Sequence, residues 1–209
     1  MTTTIIFDID GTLVDSSAFD EALYIAAIRD VLGNVSIRSN LHEYSNQTDT
    51  GILMDICEAN ALSIDDSMPF VRVRFGELVS EYLNDGGRCR PIRGAISLVD
   101  RLIRSDTYQV GIATSGWGNT ADMKLGYAGF SRNGIPLASS DQQYQRTKIM
   151  ESCRSRIPSA GITTYVGDGE WDQLASEELG WKFIGVGSRL RGKCAHWVPD
   201  LKSLKLSDF

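Results

Sequence analysis

The segment Ile5-Ile6-Phe7-Asp8-Ile9-Asp10-Gly11-Thr12 constrains the fold more than any other part of the chain. A run of β-branched and aromatic residues is closed by an acidic turn and a glycine, which reads as a buried strand that stops abruptly. Side chains two apart in a strand point to the same face, so Asp8 and Asp10 are presented together at its end. Open α/β sheets bind their ligands at that place. Two carboxylates so close suit a division of labour between nucleophile and general acid/base. They also repel each other unless one is protonated or a cation sits between them. A strand ending in an Asx turn would account for one aspartate, but not for the whole D-x-D-G-T string.

Beyond Asp15 the periodicity becomes helical. Ser16 or Ser17 is placed to cap a helix with an apolar stripe of Phe19, Ala22, Leu23, Ala26 and Ala27, stopped at Gly33. A polar loop over 43–49 leads to a second helical pattern through Ile52, Leu53, Ile56 and Cys57. A third helix is predicted to start at Ser67, with Pro69 in its first turn, and to run to Gly86-Gly87. No strand signal interrupts this block.

From Pro91 onward β and α patterns alternate. Strands are predicted at 109–114, near Leu137-Ala138, at 162–166 and at 182–186, the last of them. Helices are predicted around Ile96–Ile103, over 119–128, over 146–157 and over 170–179. Such alternation implies a parallel sheet with right-handed crossovers. The predicted fold class is therefore α/β, a doubly wound parallel, Rossmann-like core of residues 1–15 and 91–209 with an inserted all-helical cap of residues 16–90. A chain of 209 residues is long enough for that arrangement.

Composition removes several function classes. A formal net charge of −6 argues against a nucleic-acid or anionic-membrane surface, although a metal can reverse the sign locally for a phosphorylated substrate. No stretch approaches a membrane span and no signal peptide precedes the first strand, so a cytoplasmic location is expected. Cys57, Cys89, Cys153 and Cys194 are widely separated with no C-x-x-C pair, which points to reduced, packed thiols. With only His42 and His196 present, a histidine-based metal cluster is excluded. No G-x-S-x-G elbow accompanies Ser115. Acid/base chemistry must rest mainly on carboxylates.

A second acidic turn, Tyr165-Val166-Gly167-Asp168-Gly169-Glu170-Trp171-Asp172, again ends an apolar strand and opens a helix. In a parallel sheet, Asp168 and Asp172 reach the same edge as Asp8 and Asp10. So many carboxylates need a cation, and hard oxygen donors without nearby His or Cys favour Mg2+. The turn after Ala113, Thr114-Ser115-Gly116, offers a hydroxyl and amides suited to phosphate oxygens. Arg146 and Lys148, at the start of a helix, are the candidates for a cation facing that phosphate. Gly185-Val186-Gly187 lacks the third glycine of a dinucleotide fingerprint, since Leu190 stands there.

Taken in order, these motifs resemble the haloacid dehalogenase superfamily in its phosphatase branch. The resemblance runs through Asp8-Ile9-Asp10-Gly11-Thr12, then Thr114, then a basic residue, then Gly167-Asp168 through Asp172, and covers nearly the whole chain. It implies that Asp8 is the nucleophile and Asp10 the acid/base. Mg2+ would be held by the Asp8 carboxylate, the Asp10 backbone carbonyl and Asp168, with Asp172 in support. The phosphate would be bound by Asp8, Ile9, Asp10, Thr114, Ser115 and the basic residue, for which Arg146, three before Ile149 as in some relatives, is favoured over Lys148. The implied reaction is Mg2+-dependent hydrolysis of a small phosphorylated metabolite through an aspartyl-phosphate, by a protein expected to be monomeric.

Dehalogenases of the superfamily lack the carboxylate found at Asp10. The alternatives kept open are a phosphotransferase or phosphomutase, whose cap-side histidine would fall at Asp20, and a non-catalytic phosphate-binding protein. Substrate choice would fall to the cap and its surroundings, with Phe19, Asp20, Thr48, Asp49 and Trp117 as candidates. Phe19 and Trp117 are equally suited to a packed core, and Thr48 to a helix N-cap.

Overall fold

The computed structural model describes residues 2–132, 134–158 and 161–209. Its centre is the strand β1 (Thr3–Phe7), in which Ile5, Ile6 and Phe7 have no solvent exposure. The chain then passes through a tight loop into the short β2 (Val14–Asp15) and three helices, α1 (Ser17–Leu32), α2 (Asp49–Ala59) and α3 (Ile64–Asn84). It returns by β3 (Arg90–Pro91) and continues as α4 (Ala95–Ile103), β4 (Tyr108–Ala113), α5 (Gly118–Tyr127) and β5 (Leu137–Ala138). The remaining elements are α6 (Arg146–Ser155), β6 (Thr163–Gly167), α7 (Glu170–Glu178), β7 (Lys182–Val186) and β8 (Trp197–Val198).

Six strands form one parallel sheet in the order β5-β4-β1-β6-β7-β8. Ile5 lies between Val110 and Thr164, and Phe7 between Ile112 and Val166. The strand order reverses at β1, so the loops after β1, β4 and β6 open onto one crevice. The pleat divides the core. Ile5 and Phe7 pack with Leu98, Leu102 and the helical insert, whereas Ile6 joins Met150, Cys153, Tyr165 and Ala175 on the other face.

The first of these hydrophobic clusters runs without a break from the sheet into the insert. Trp117, fully buried, is met edge-on by Tyr24 of α1 at 5.7 Å and by Phe75 of α3 at 6.1 Å between ring centres.

Local chemistry moved several predicted boundaries. The third helix begins at Ile64, because the Ser63 hydroxyl caps the amide of Asp66 and the acidic Asp65 and Asp66 suit a first turn. Pro69 therefore lies inside α3, where it leaves out one backbone hydrogen bond. The buried side of α1 is Phe19, Tyr24, Ala27 and Ile28, and Ala22 is exposed. Burial of the large Tyr24 and Ile28 turns the helix away from the alanine-rich stripe.

Two strand features were too short to carry a sequence signal. One is β8, which extends the sheet beyond β7; the other is the antiparallel β2–β3 ribbon pairing Val14 with Pro91 and Asp15 with Arg90. That ribbon brings the two ends of the insert side by side.

Candidate active site

The edge of the sheet begins with Asp8, immediately after β1 and only 5 % exposed; its amide donates to the Val166 carbonyl at 2.9 Å. The loop that follows is wound by the amides of Thr12, Leu13 and Val14 on the Ile9 carbonyl. Gly11 makes this possible at a φ of +81°. A Cβ at Gly11 would lie 2.3 Å from Oδ2 of Asp168, so the two acidic loops touch only because this residue has no side chain.

Asp10, two residues on, is tied through Oδ1. It accepts from Lys124 Nζ at 2.6 Å and from the Ser16 hydroxyl. Ser16 was expected as a helix cap, but its hydroxyl makes no capping bond and serves Asp10 instead.

From β6 come Asp168 and the wholly buried Asp172 at the start of α7. Oδ2 of Asp172 accepts from the Gly169 amide at 3.1 Å, and Oδ1 accepts from Arg146 Nη1. Arg146, the first residue of α6, also donates to the Ser115 hydroxyl. From β4 come the buried Thr114, whose hydroxyl accepts from the Gly116 amide at 3.2 Å, and Ser115. These loops border a cavity of about 180 Å3, lined on the insert side by Asp20, Tyr24, Ile52 and Asp49.

Among the described residues, one oxygen from each of Asp8, Asp168 and Asp172 lies within 4.8 Å of the others. Burial pushes the Asp8 carboxyl well above the ordinary range, and the charge of Asp172 adds to that against the pull of Arg146. Burial, then Asp172, pushes Asp168 up to about 7. Burial raises Asp172 too, in spite of Arg146. A cation among these three oxygens would relieve the shared penalty, and the donors are all hard carboxylate oxygens. The set fits a small divalent ion. Asp10 is not part of this set; its Oδ1 is bonded to Lys124 and Ser16.

The structure separates the remaining candidates. Arg146 faces the acidic edge, whereas Lys148 projects from α6 to pair with Glu151 at 2.8 Å and has a half-exposed side chain. Lys148 is thus not brought to the site. Asp20 and Asp49 line the cavity. Phe19 stacks on Tyr82 at 4.3 Å, and Trp117 is buried with its indole N–H on the Thr50 hydroxyl, so both belong to the packing beneath. Thr48 caps α2 through the Gly51 amide and donates to the Tyr144 carbonyl at 2.7 Å. Asp49 accepts from the Trp117 amide at 2.8 Å and donates its own amide to the Ser115 carbonyl at 3.0 Å. The start of α2 is in this way bonded to the turn after β4.

The residues at the site that went unread in the sequence include Lys124, His42, Trp171 and Arg189. His42 stacks on Trp171 at 4.6 Å, and the Arg189 guanidinium lies 5.0 Å from the same ring. Those three sit in or beside loops, where no periodicity marks them. Lys124 did leave a signal, because its helix buries Thr120, Ala121, Lys124 and Leu125. That spacing sets a lysine on the inward face.

A buried aspartate stands at the switch point of this Rossmann-like sheet, with a second aspartate two residues on and a carboxylate cluster beside it. The chain belongs to the haloacid dehalogenase-like hydrolases, whose family model matches residues 5–186.

It is 24 % identical to the pyrophosphatase PpaX of Bacillus velezensis, across 99 % of this chain and 94 % of that protein. A hydrolase from Pseudomonas syringae superposes with a TM-score of 0.73 at 21 % identity, covering 96 % of this chain and 94 % of the other. The β-phosphoglucomutase of Clostridium difficile superposes with a TM-score of 0.75 at 17 % identity, covering 100 % and 95 %. The two structural likenesses are likenesses of fold. No helix among the described residues is long and apolar enough to cross a membrane.

Proposed function

We propose that the protein is a Mg2+-dependent phosphatase that hydrolyses a small-molecule phosphomonoester through an aspartyl-phosphate. The observation that carries this reading is the meeting of Asp8 with Asp168 and Asp172 at the edge of a cavity, next to Arg146 and the Thr114-Ser115 turn. Asp8, Asp168 and Asp172, with the Asp10 carbonyl, are the groups to hold Mg2+. Bound there, the ion would offset the carboxylate charge and that of the phosphoryl oxygens.

A carboxylate oxygen of Asp8 attacks phosphorus, forming the P–O bond of the phosphoenzyme as the ester P–O bond breaks. Asp10 gives its proton to the departing alkoxide oxygen, which leaves as an alcohol. The same carboxylate then takes a proton from water as the water oxygen attacks phosphorus, releasing inorganic phosphate and free Asp8. Thr114, Ser115 and Arg146 would bind the phosphoryl oxygens, the main electrostatic demand of the transfer. Arg146 reaches them from its seat between Asp172 and Ser115. The insert, acting as a cap, walls off the leaving-group side and keeps bulk water away.

Release of p-nitrophenol from p-nitrophenyl phosphate tests the reading. Turnover should require Mg2+ and stop on chelation; phosphate transfer to an added sugar in place of phosphate release would point to a mutase instead. The four free cysteines suit a cytoplasmic setting.

A further inference from the structure

Lys124 is 1 % exposed at its side chain, and its ammonium is shared between two carboxylates, Asp10 Oδ1 at 2.6 Å and Asp20 Oδ1 at 2.8 Å. One partner sits in the loop after β1, the other on α1 of the insert. We propose that Lys124 is a positioning residue for the acid/base Asp10. Together with Ser16 it binds Oδ1, leaves Oδ2 to face the leaving-group oxygen, and links that orientation to the docked insert through Asp20. The proposal rests on the phosphatase reading of the site.

Three observations support it. First, both donors to Asp10 fall on the same oxygen. The other oxygen, Oδ2, is directed to the turn after β4, where it would stand 3.9 Å from a Cβ on Gly116. A carboxylate tied at one oxygen cannot swing its second one away from the cavity. Second, stability alone is a weak reason for burying this ionic group. Burying an ammonium works against its charge, and only the pull of Asp10 and Asp20 outweighs that and raises the lysine above its usual range. Replacing a whole buried ionic group by apolar side chains of similar volume is often neutral or stabilising, although removing the lysine by itself strands two carboxylates. Third, Lys124 is the hydrogen-bond donor found for the Asp20 carboxylate among the described residues, and Asp20 lines the cavity. The insert thus contributes a carboxylate to the same ammonium that orients the acid.

The test compares two aryl esters of similar size with unlike leaving groups, p-nitrophenyl phosphate and phenyl phosphate, in wild type, Lys124→Met and Asp20→Asn. Nitrophenolate departs with little help from an acid, whereas phenolate needs the proton. Lys124→Met should lower kcat/KM for phenyl phosphate on the order of 10-fold more than for p-nitrophenyl phosphate, a part of what general acid catalysis contributes. Asp20→Asn should shift the ratio in the same direction to a smaller extent. Circular dichroism and thermal unfolding establish that each variant is folded, and Asp20→Asn carries the test should Lys124→Met not fold.

Equal losses on both esters would mean a merely structural lysine and overturn the proposal; an unchanged ratio in Asp20→Asn would remove the link to the insert. Wild-type protein inert toward both esters would overturn the phosphatase reading and this inference with it. Activity in wild type with no selective loss in the variants would overturn this inference alone.

Discussion

Gly11 and Asp168 come from different strands and touch so closely that a Cβ on Gly11 would stand 2.3 Å from the Asp168 Oδ2. The loop after β1 and the loop after β6 are therefore built against each other. Gly11→Ala meets both that contact and a φ of +81°. We expect a loss of about 1–2 kcal/mol in stability from the left-handed backbone alone. Asp168 must also be displaced, so Mg2+ should bind at least several-fold more weakly. Urea unfolding and a calorimetric Mg2+ titration measure the two effects; unchanged metal affinity would mean that the two loops are not coupled.

Asp8→Asn should reduce turnover by roughly 10^4-fold or more, as expected when a nucleophile is removed. The same change should raise the thermal unfolding midpoint of the metal-free protein. Asp8 is buried beside Asp172, and its charge is unwelcome there, as its raised pKa shows. Activity and stability would then move in opposite directions, as is common where function requires a strained group. Retained turnover would dispose of the covalent mechanism.

The metal-free protein should lose stability as pH rises from about 4, where an unfolded aspartate titrates, to about 7, where burial has moved Asp168. The sign follows from proton uptake. Asp8, Asp168 and Asp172 are all raised, as are Asp49 and Asp20, the latter to about 6. The folded chain binds more protons than the unfolded chain across this window, so protonation stabilises it and deprotonation removes that gain. Thermal unfolding at a series of pH values in EDTA should show the decline. Saturating Mg2+ should flatten the part due to the three clustered carboxylates, and an equal slope with and without Mg2+ would count against the metal site.

Arg146→Ala should lower kcat/KM by about 10^2–10^3-fold, in line with the loss of a preorganised donor to the transferring group. It also strands the Asp172 carboxylate, wholly buried and otherwise paired with Arg146, at about 3–5 kcal/mol of stability. Lys148→Ala serves as the paired control. Its ammonium pairs with Glu151 on the surface of α6, so turnover and unfolding should stay at wild-type values. A larger effect from Lys148 than from Arg146 would reverse the assignment.

Much of this was legible in the chain because it is written in local patterns. The apolar run into Asp8 and the one into Asp168 each announce a buried strand ending in an acidic turn. The alternation after Pro91 announces a parallel sheet, and a parallel sheet collects such turns on one edge. The choice between Arg146 and Lys148 was not local. They stand two apart on a helix, roughly 200° around its axis, and only the packing of α6 against the sheet decides which one turns inward.

The same holds for Lys124. Its inward spacing was visible beside Ala121 and Leu125, yet nothing in the order of residues says that Asp10 and Asp20 meet there, one from the sheet and one from the insert. Sequence alone determined the D-x-D pair, the second acidic turn and the α/β alternation, since strand and helix periods are set by the backbone. Tertiary structure decided the Arg146–Asp172 pairing, the Gly11–Asp168 contact and the Lys124 bridge, because each joins residues whose distance depends on how separate elements pack.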